Sequence, residues 1–173
     1  MNAKSKAAAS AAQIDMSAIR MVAETPDDLE LVTQLHEEVF GPGRFAKTAF
    51  RLREGKQPRY DLSRLAWRGD QLLGAVRMTG IAIGDGSAVL LGPLCVRREI
   101  KGMGLGRALM KTAMEASWSA DETVVLLVGD AAYYSPFGFQ RAVDVELPGP
   151  ADPARTLIAV RDGSPSDWSG KVA

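Results

Sequence analysis

The chain of 173 residues has the size of one domain, long enough to bury a core and too short for two ordinary ones. Lys plus Arg number 21, as do Asp plus Glu, so no global charge draws it to nucleic acid or an acidic surface. With 46% hydrophobic and 24% charged residues it reads as globular, and its apolar runs are too short to cross a bilayer. One cysteine, Cys95, and one histidine, His36, exclude an internal disulfide and a Cys/His metal site, which points to a reducing, cytoplasmic setting and no metal.

Residues 1–17 are small, polar and weakly basic and read as a flexible N-terminal tail, with Met16 an alternative start. A single domain is expected over 18–162 and a C-terminal tail over 163–173. Ile19 to Thr25 reads as a first strand. Thr25-Pro26-Asp27-Asp28 then opens a helix with a capping box, and Leu29, Val32, Leu35 and Val39 form its apolar stripe, leaving His36 off it as a surface or rim residue. Gly41 to Gly43 ends that helix. Arg44 to Gly55 predicts a second, basic helix carrying Arg44, Lys47, Arg51 and Arg53, with Lys56 just beyond it.

Three strands in an antiparallel meander follow, ending in the run Ser87 to Val96. From Gly104 to Ala116 the period becomes helical, and Thr123 to Asp130 is a short apolar run expected of a strand covered on both faces. Strand, helix and strand imply a parallel crossover around Gly102, Gly104 and Gly106. Ala131 to Phe139 reads as a short helix or turn, and Arg141 to Leu147 with Arg155 to Asp162 as a closing hairpin.

The glycine loop does not fit the known nucleotide patterns. There is no Gly-Lys-Ser or Gly-Lys-Thr, so a P-loop is excluded. A dinucleotide fingerprint fails at its third position, which is Arg107 in one frame and Leu109 in the other. What remains is a strand entering a loop whose amides are bare of side chains, at a helix N-terminus with Lys101 and Arg107 beside it. That combination suits an anion such as a pyrophosphate.

Lys101-Gly102-Met103-Gly104-Leu105-Gly106 resembles the loop signature of the GCN5-related N-acetyltransferases, the GNAT family, with Lys in place of Gln or Arg. Leu91 to Val96, Val124 to Asp130 and Ala132 to Phe139 look like its YhbS-like bacterial branch. The resemblance implies a mixed α/β fold, a mostly antiparallel central sheet splayed between strands four and five with helices on both faces. It implies acetyl-CoA as co-substrate, with Lys101 to Gly106 and Arg107 around the pyrophosphate and the backbone of Leu94, Cys95 and Val96 along the pantetheine arm. Gly92 and Pro93 suit a bulge or break at the splay. Tyr134, four residues before Gly138, takes the family's general-acid position, with Tyr133 its nearest rival. Transfer would be to a primary amine, on a small molecule or a peptide, by direct attack. The alternative is a non-catalytic acyl-CoA sensor or interaction module. A homodimer is an open assembly state.

Some family members carry a base on the strand before the loop. Here that stretch, Ala88 to Leu91, is wholly apolar, so no base is assigned; Glu38, Asp61 or a water are the alternatives. Cys95, between Leu94 and Val96, reads as inert packing. The basic second helix borders the acceptor side in this fold, which makes a carboxylate-bearing acceptor an expectation.

Overall fold

The computed structural model describes residues 14–173. The expected N-terminal tail therefore lies mostly outside the described residues; its last two residues enter a 3-10 turn, Met16–Ala18. Thr25 and Asp28 form the expected capping box, at the start of a 3-10 turn (Pro26–Asp28) that runs into the first helix, the Asp28 carboxylate accepting from both the amide (2.8 Å) and the hydroxyl (2.7 Å) of Thr25. Helix α1 (Leu29–Phe40) buries Val32 and Leu35, whereas Leu29, at the head of the expected stripe, is 47% exposed.

The second helix is shorter than expected. A 3-10 turn over Pro42–Ala46 precedes α2 (Thr48–Arg53), which buries Leu52. Strand β1 (Arg20–Ala23) pairs with β2 (Arg64–Arg68), and β2, β3 (Gln71–Ile83) and β4 (Gly86–Val96) form the predicted antiparallel meander. Helix α3 (Leu105–Ser119) then carries the chain to β5 (Val124–Val128), which lies parallel to β4. After α4 (Ala131–Tyr134) come β6 (Gln140–Arg141), β7 (Val145–Glu146), β8 (Thr156–Val160) and β9 (Gly170–Lys171). The main sheet runs β1-β2-β3-β4-β5-β8-β6, and every pairing except β4 with β5 is antiparallel.

The two-residue period of the strands divides the core into two layers. Ala66, Leu73, Val76, Val89 and Leu127 face α3, packing with Leu105, Leu109, Met110 and Ala113. Their neighbours Leu65, Leu72, Ala75 and Cys95 face α1, meeting Val32 and Leu35. Leu90, Leu126 and Ile158 lie in a further cluster with Leu52 of α2. Strand β5 is buried on both faces, which is why its sequence has no polar alternation.

Two expectations are corrected. Of the predicted closing hairpin, only β6 pairs with β8; Val145 and Glu146 leave the sheet and pair in parallel with Gly170 and Lys171. The segment expected as a C-terminal tail is thus part of the fold. Val172 is buried, Trp168 packs where a side chain at Gly86 would sit, and Ala173 exchanges two backbone hydrogen bonds with Ala82 (2.8 and 3.1 Å).

Candidate active site

The sheet opens between β4 and β5. Only Val89 and Leu90 of β4 find partners on β5, at Val125 and Leu126, so from Leu91 onward β4 has lost that neighbour. The opening coincides with a bulge: β4 register against β3 shifts between Leu91 and Leu94, across Gly92 and Pro93, and Gly92 has φ +127°. Arg97 donates its amide to the Leu73 carbonyl (2.8 Å). By the alternation of an antiparallel ladder, Cys95 also bonds toward β3, while Leu94 and Val96 turn their amides and carbonyls to the opened side. Of the three strand residues read from sequence, two can therefore offer backbone groups to a ligand there.

Past Val96 a 3-10 turn (Arg98–Ile100) leads into the glycine loop. Gly102 (φ +83°) and Gly104 (φ +93°) occupy left-handed conformations that bring the chain into α3, with Gly104 the residue before its first turn. Lys101 and Met103 spend their amides on turn bonds to the Arg98 and Ile100 carbonyls (both 3.3 Å). Gly102, Gly104, Leu105, Gly106 and Arg107 have no amide acceptor among the described residues, and the intrahelical ladder begins with Ala108 donating to Gly104 (3.1 Å). Five bare amides lie at the positive end of a 15-residue helix, an arrangement suited to an anion.

These two features wall one cleft of about 490 Å³, lined by Leu94, Cys95, Val96, Lys101, Gly102, Gly104, Gly106, Arg107, Tyr133 and Tyr134. Met103 and Leu105 are not in its lining; both pack into the core beneath α3, Leu105 at 1% exposure. Tyr133 reaches over the loop: its hydroxyl stands 2.9 Å from where a Cβ on Gly106 would be, and the Arg107 guanidinium lies 5.8 Å from its ring centroid. The Tyr134 ring packs edge-on against Tyr133 (4.8 Å) and directly against Gly129. Burial, and then the neighbouring Tyr133, push the Tyr134 hydroxyl up to about 12, so it keeps its proton across the neutral range. Burial likewise raises the Cys95 thiol to about 12, as inert packing requires.

A second cavity of about 420 Å³ adjoins the first, and Phe40 of α1 lines both. Pro93, Arg77 and Thr79 form its floor, and α1, α2 and the loop after α2 its roof. His36, expected at the surface or at a substrate rim, lies here in the cavity lining; the surface alternative is corrected to 7% exposure, with Nε2 buried and unpartnered. Burial first, then the charges of Arg77, Arg53 and Arg44, lower its pKa to about 3, so the imidazole is neutral. Sequence reasoning missed this because it judged the helix by one stripe, whereas the turn and α2 cover a second face. Glu38 and Asp61 line neither cavity. Glu38 pairs with Arg97 and Asp61 with Arg59. Among the described residues no cluster of three or more His, Cys, Asp or Glu side chains could hold a metal, and no helix is long and apolar enough to cross a membrane.

Comparison with known proteins agrees with this architecture. A family model described as the acetyltransferase (GNAT) family matches residues 29–139. The chain is similar in structure to YhbS from Escherichia coli, a GNAT family N-acetyltransferase in complex with CoA. They are 25% identical with a TM-score of 0.75, over 89% of this chain and 88% of that one. A GNAT acetyltransferase from Brucella melitensis in complex with acetyl-CoA shares the fold at 22% identity and TM-score 0.66, over 90% of this chain and 94% of that one. So does the ribosomal-protein-S18-alanine N-acetyltransferase of Escherichia coli, at 15% identity and TM-score 0.58, over 84% and 96%. No curated protein matches the sequence.

Proposed function

This chain belongs to the GNAT acetyltransferase family, and from that premise we propose that it is an acetyl-CoA-dependent N-acetyltransferase that moves an acetyl or short acyl group to a primary amine. The observation that carries the reading is the joining, in one cleft, of residues with unengaged amides at the α3 N-terminus, Gly102, Gly104, Gly106 and Arg107, with the unpaired edge of β4. The first suits a diphosphate and the second suits an amide-bearing arm that completes the sheet like an added strand. Lys101 and Arg107 add charge beside the diphosphate. Lys101 in place of the family's Gln or Arg is compatible with this, because the unengaged donors are main-chain groups.

In the reaction, the amine nitrogen lone pair attacks the thioester carbonyl carbon while the Leu94 amide, turned to the opened side, polarises the carbonyl oxygen. Collapse of the tetrahedral adduct breaks the C–S bond. The departing sulfur takes the Tyr134 proton, and the proton shed by the former amine restores the phenol through solvent, leaving an amide and free CoA. Tyr134 is the proposed general acid because burial holds it protonated within the cleft. Leu94 and Val96 act through their backbone, Cys95 through packing, and Gly102, Gly104, Leu105, Gly106 and Arg107 through their amides.

The test is calorimetry with acetyl-CoA on the folded chain, followed by mass analysis of products with a panel of amines. Micromolar binding and an amine product are expected; no binding to a well-folded sample overturns the reading. A second reading, a non-catalytic acyl-CoA sensor, is favoured by the wholly apolar, buried run Ala88 to Leu91, which offers no base. It predicts binding with slow thioester hydrolysis and no acetylated amine.

A further inference from the structure

The second cavity carries an uncompensated charge. Arg44 and Arg77 at its rim and floor have partners, Arg44 donating to Glu37 (3.0 Å) and to the Gly41 carbonyl (2.8 Å), and Arg77 bonding the buried Glu24 (2.6 Å). Arg53, at the end of α2, is half-buried and has no ion-pair or hydrogen-bond partner among the described residues. A desolvated guanidinium without an anion is unfavourable, and burial, with Arg77 nearby, lowers its pKa to about 10. Beside it His36 brings a second unpaired polar atom, the buried Nε2. The lining holds the cations Arg44, Lys47, Arg53, Lys56 and Arg77 against the single carboxylate of Glu54.

Position connects this charge to the chemistry. The Arg53 Nη1 atom stands 3.6 Å from where a Cβ on Gly92 would be, at the bulge where β4 parts from β5. The backbone that would orient the thioester begins two residues later, at Leu94, and Phe40 is shared by both cavities. An anion on Arg53 is therefore a short way from the point of attack. A cavity of about 420 Å³ suits a small molecule.

We propose that this cavity binds the carboxylate of the acceptor, with Arg53 as its charge partner and His36 Nε2 as a hydrogen-bonding group, so that the acceptor is a free amino acid whose amine lies close to its carboxylate. The proposal rests on the acetyltransferase reading above for what happens to the amine, but the carboxylate site can be measured without turnover. Removing the carboxylate leaves the guanidinium unpaired, the situation in which a polar site discriminates most strongly.

The test uses the full chain with acetyl-CoA and matched trios: each proteinogenic amino acid, its carboxamide and its decarboxylated amine. Release of CoA thiol gives kcat/KM, and calorimetry gives amino-acid binding to the CoA-loaded and the free protein. At least one amino acid is expected to exceed its carboxamide and amine by ten- to a hundredfold. Arg53→Gln should collapse that ratio, Arg53→Lys should keep part of it, and both variants should still bind acetyl-CoA. Equal use of the three members of every trio, or a preference that survives Arg53→Gln, overturns the proposal. If no amine is acetylated, calorimetry decides: amino-acid binding that Arg53→Gln abolishes supports the carboxylate site while the transfer reading fails, and no binding to either form rejects the site.

Discussion

The Tyr134 ring packs directly against the α-carbon of Gly129, on ground that any side chain at 129 would occupy. Gly129 follows the last residue of β5 and Tyr134 ends α4, so the absence of one side chain sets the position of another at the cleft. Tyr134→Phe is expected to lower kcat by about a hundredfold, the low end of what a positioned acid contributes, with acetyl-CoA affinity nearly unchanged. Gly129→Ala should lower kcat as well by displacing the ring. Steady-state kinetics beside calorimetry checks both, and undiminished kcat in Tyr134→Phe would pass the acid role to another group.

Gly106 separates stability from binding. Alanine is the better helix former, by about 1 kcal/mol in a helix interior, so Gly106→Ala should leave the denaturation midpoint near or above that of the native chain. Its Cβ would stand 2.9 Å from the Tyr133 hydroxyl, which must then swing within the cleft. Acetyl-CoA affinity is expected to fall about tenfold or more. Retained affinity, measured by calorimetry, would show that the space between Gly106 and Tyr133 is not used.

The Glu24–Arg77 pair joins the residue after β1 to the middle of β3 with bonds of 2.6 to 3.2 Å, and Glu24 is 2% exposed. Glu24→Ala removes one partner and leaves the other charge half-buried, which costs about 3–5 kcal/mol in comparable sites. Urea denaturation should show that loss. A change below about 1 kcal/mol would mean that water reaches Arg77 freely.

His36 should make the protein acid-sensitive. Above pH 6.5 the imidazole is neutral in both folded and unfolded chains. Between 6.5 and about 3 only the unfolded chain takes up the proton, so stability falls as the pH falls, by at most about 1.4 kcal/mol per pH unit from this group. His36→Asn should flatten the stability profile over that window relative to the native chain; parallel profiles would show that His36 is not the group responsible.

The glycine loop and the break at Gly92 and Pro93 were legible because each depends on a local rule: positive φ, a missing amide, or an anion at a helix end; Tyr134 was named only through the family resemblance. Strand-like runs between turns likewise predicted β2 to β4, and the unbroken apolar run predicted that β5 is covered on both faces. What escaped was long-range. Nothing within Val145-Glu146 or Gly170-Lys171 signals that two dipeptides will pair across the chain, because their register comes from tertiary packing. Nor do the spacings of Arg44, Lys47, Arg51, Arg53 and Lys56 tell which cation turns inward. That depends on how α2, after the short turn over Pro42–Ala46, lies across the cavity from Pro93 and Thr79, where His36 is also buried.

The five residues from Leu91 to Cys95, with Val96 after them, are a sheet edge placed inside the molecule instead of at its rim. An edge of that kind is a template for an extended chain, and here β5 does not cover it. A donor lying there would serve as a temporary strand, tying the fold's cohesion to the supply of its own co-substrate: at a hundred times its dissociation constant, a ligand adds about 2.7 kcal/mol to the folded state. Preparations stripped of CoA should accordingly melt earlier and self-associate more readily than those kept loaded.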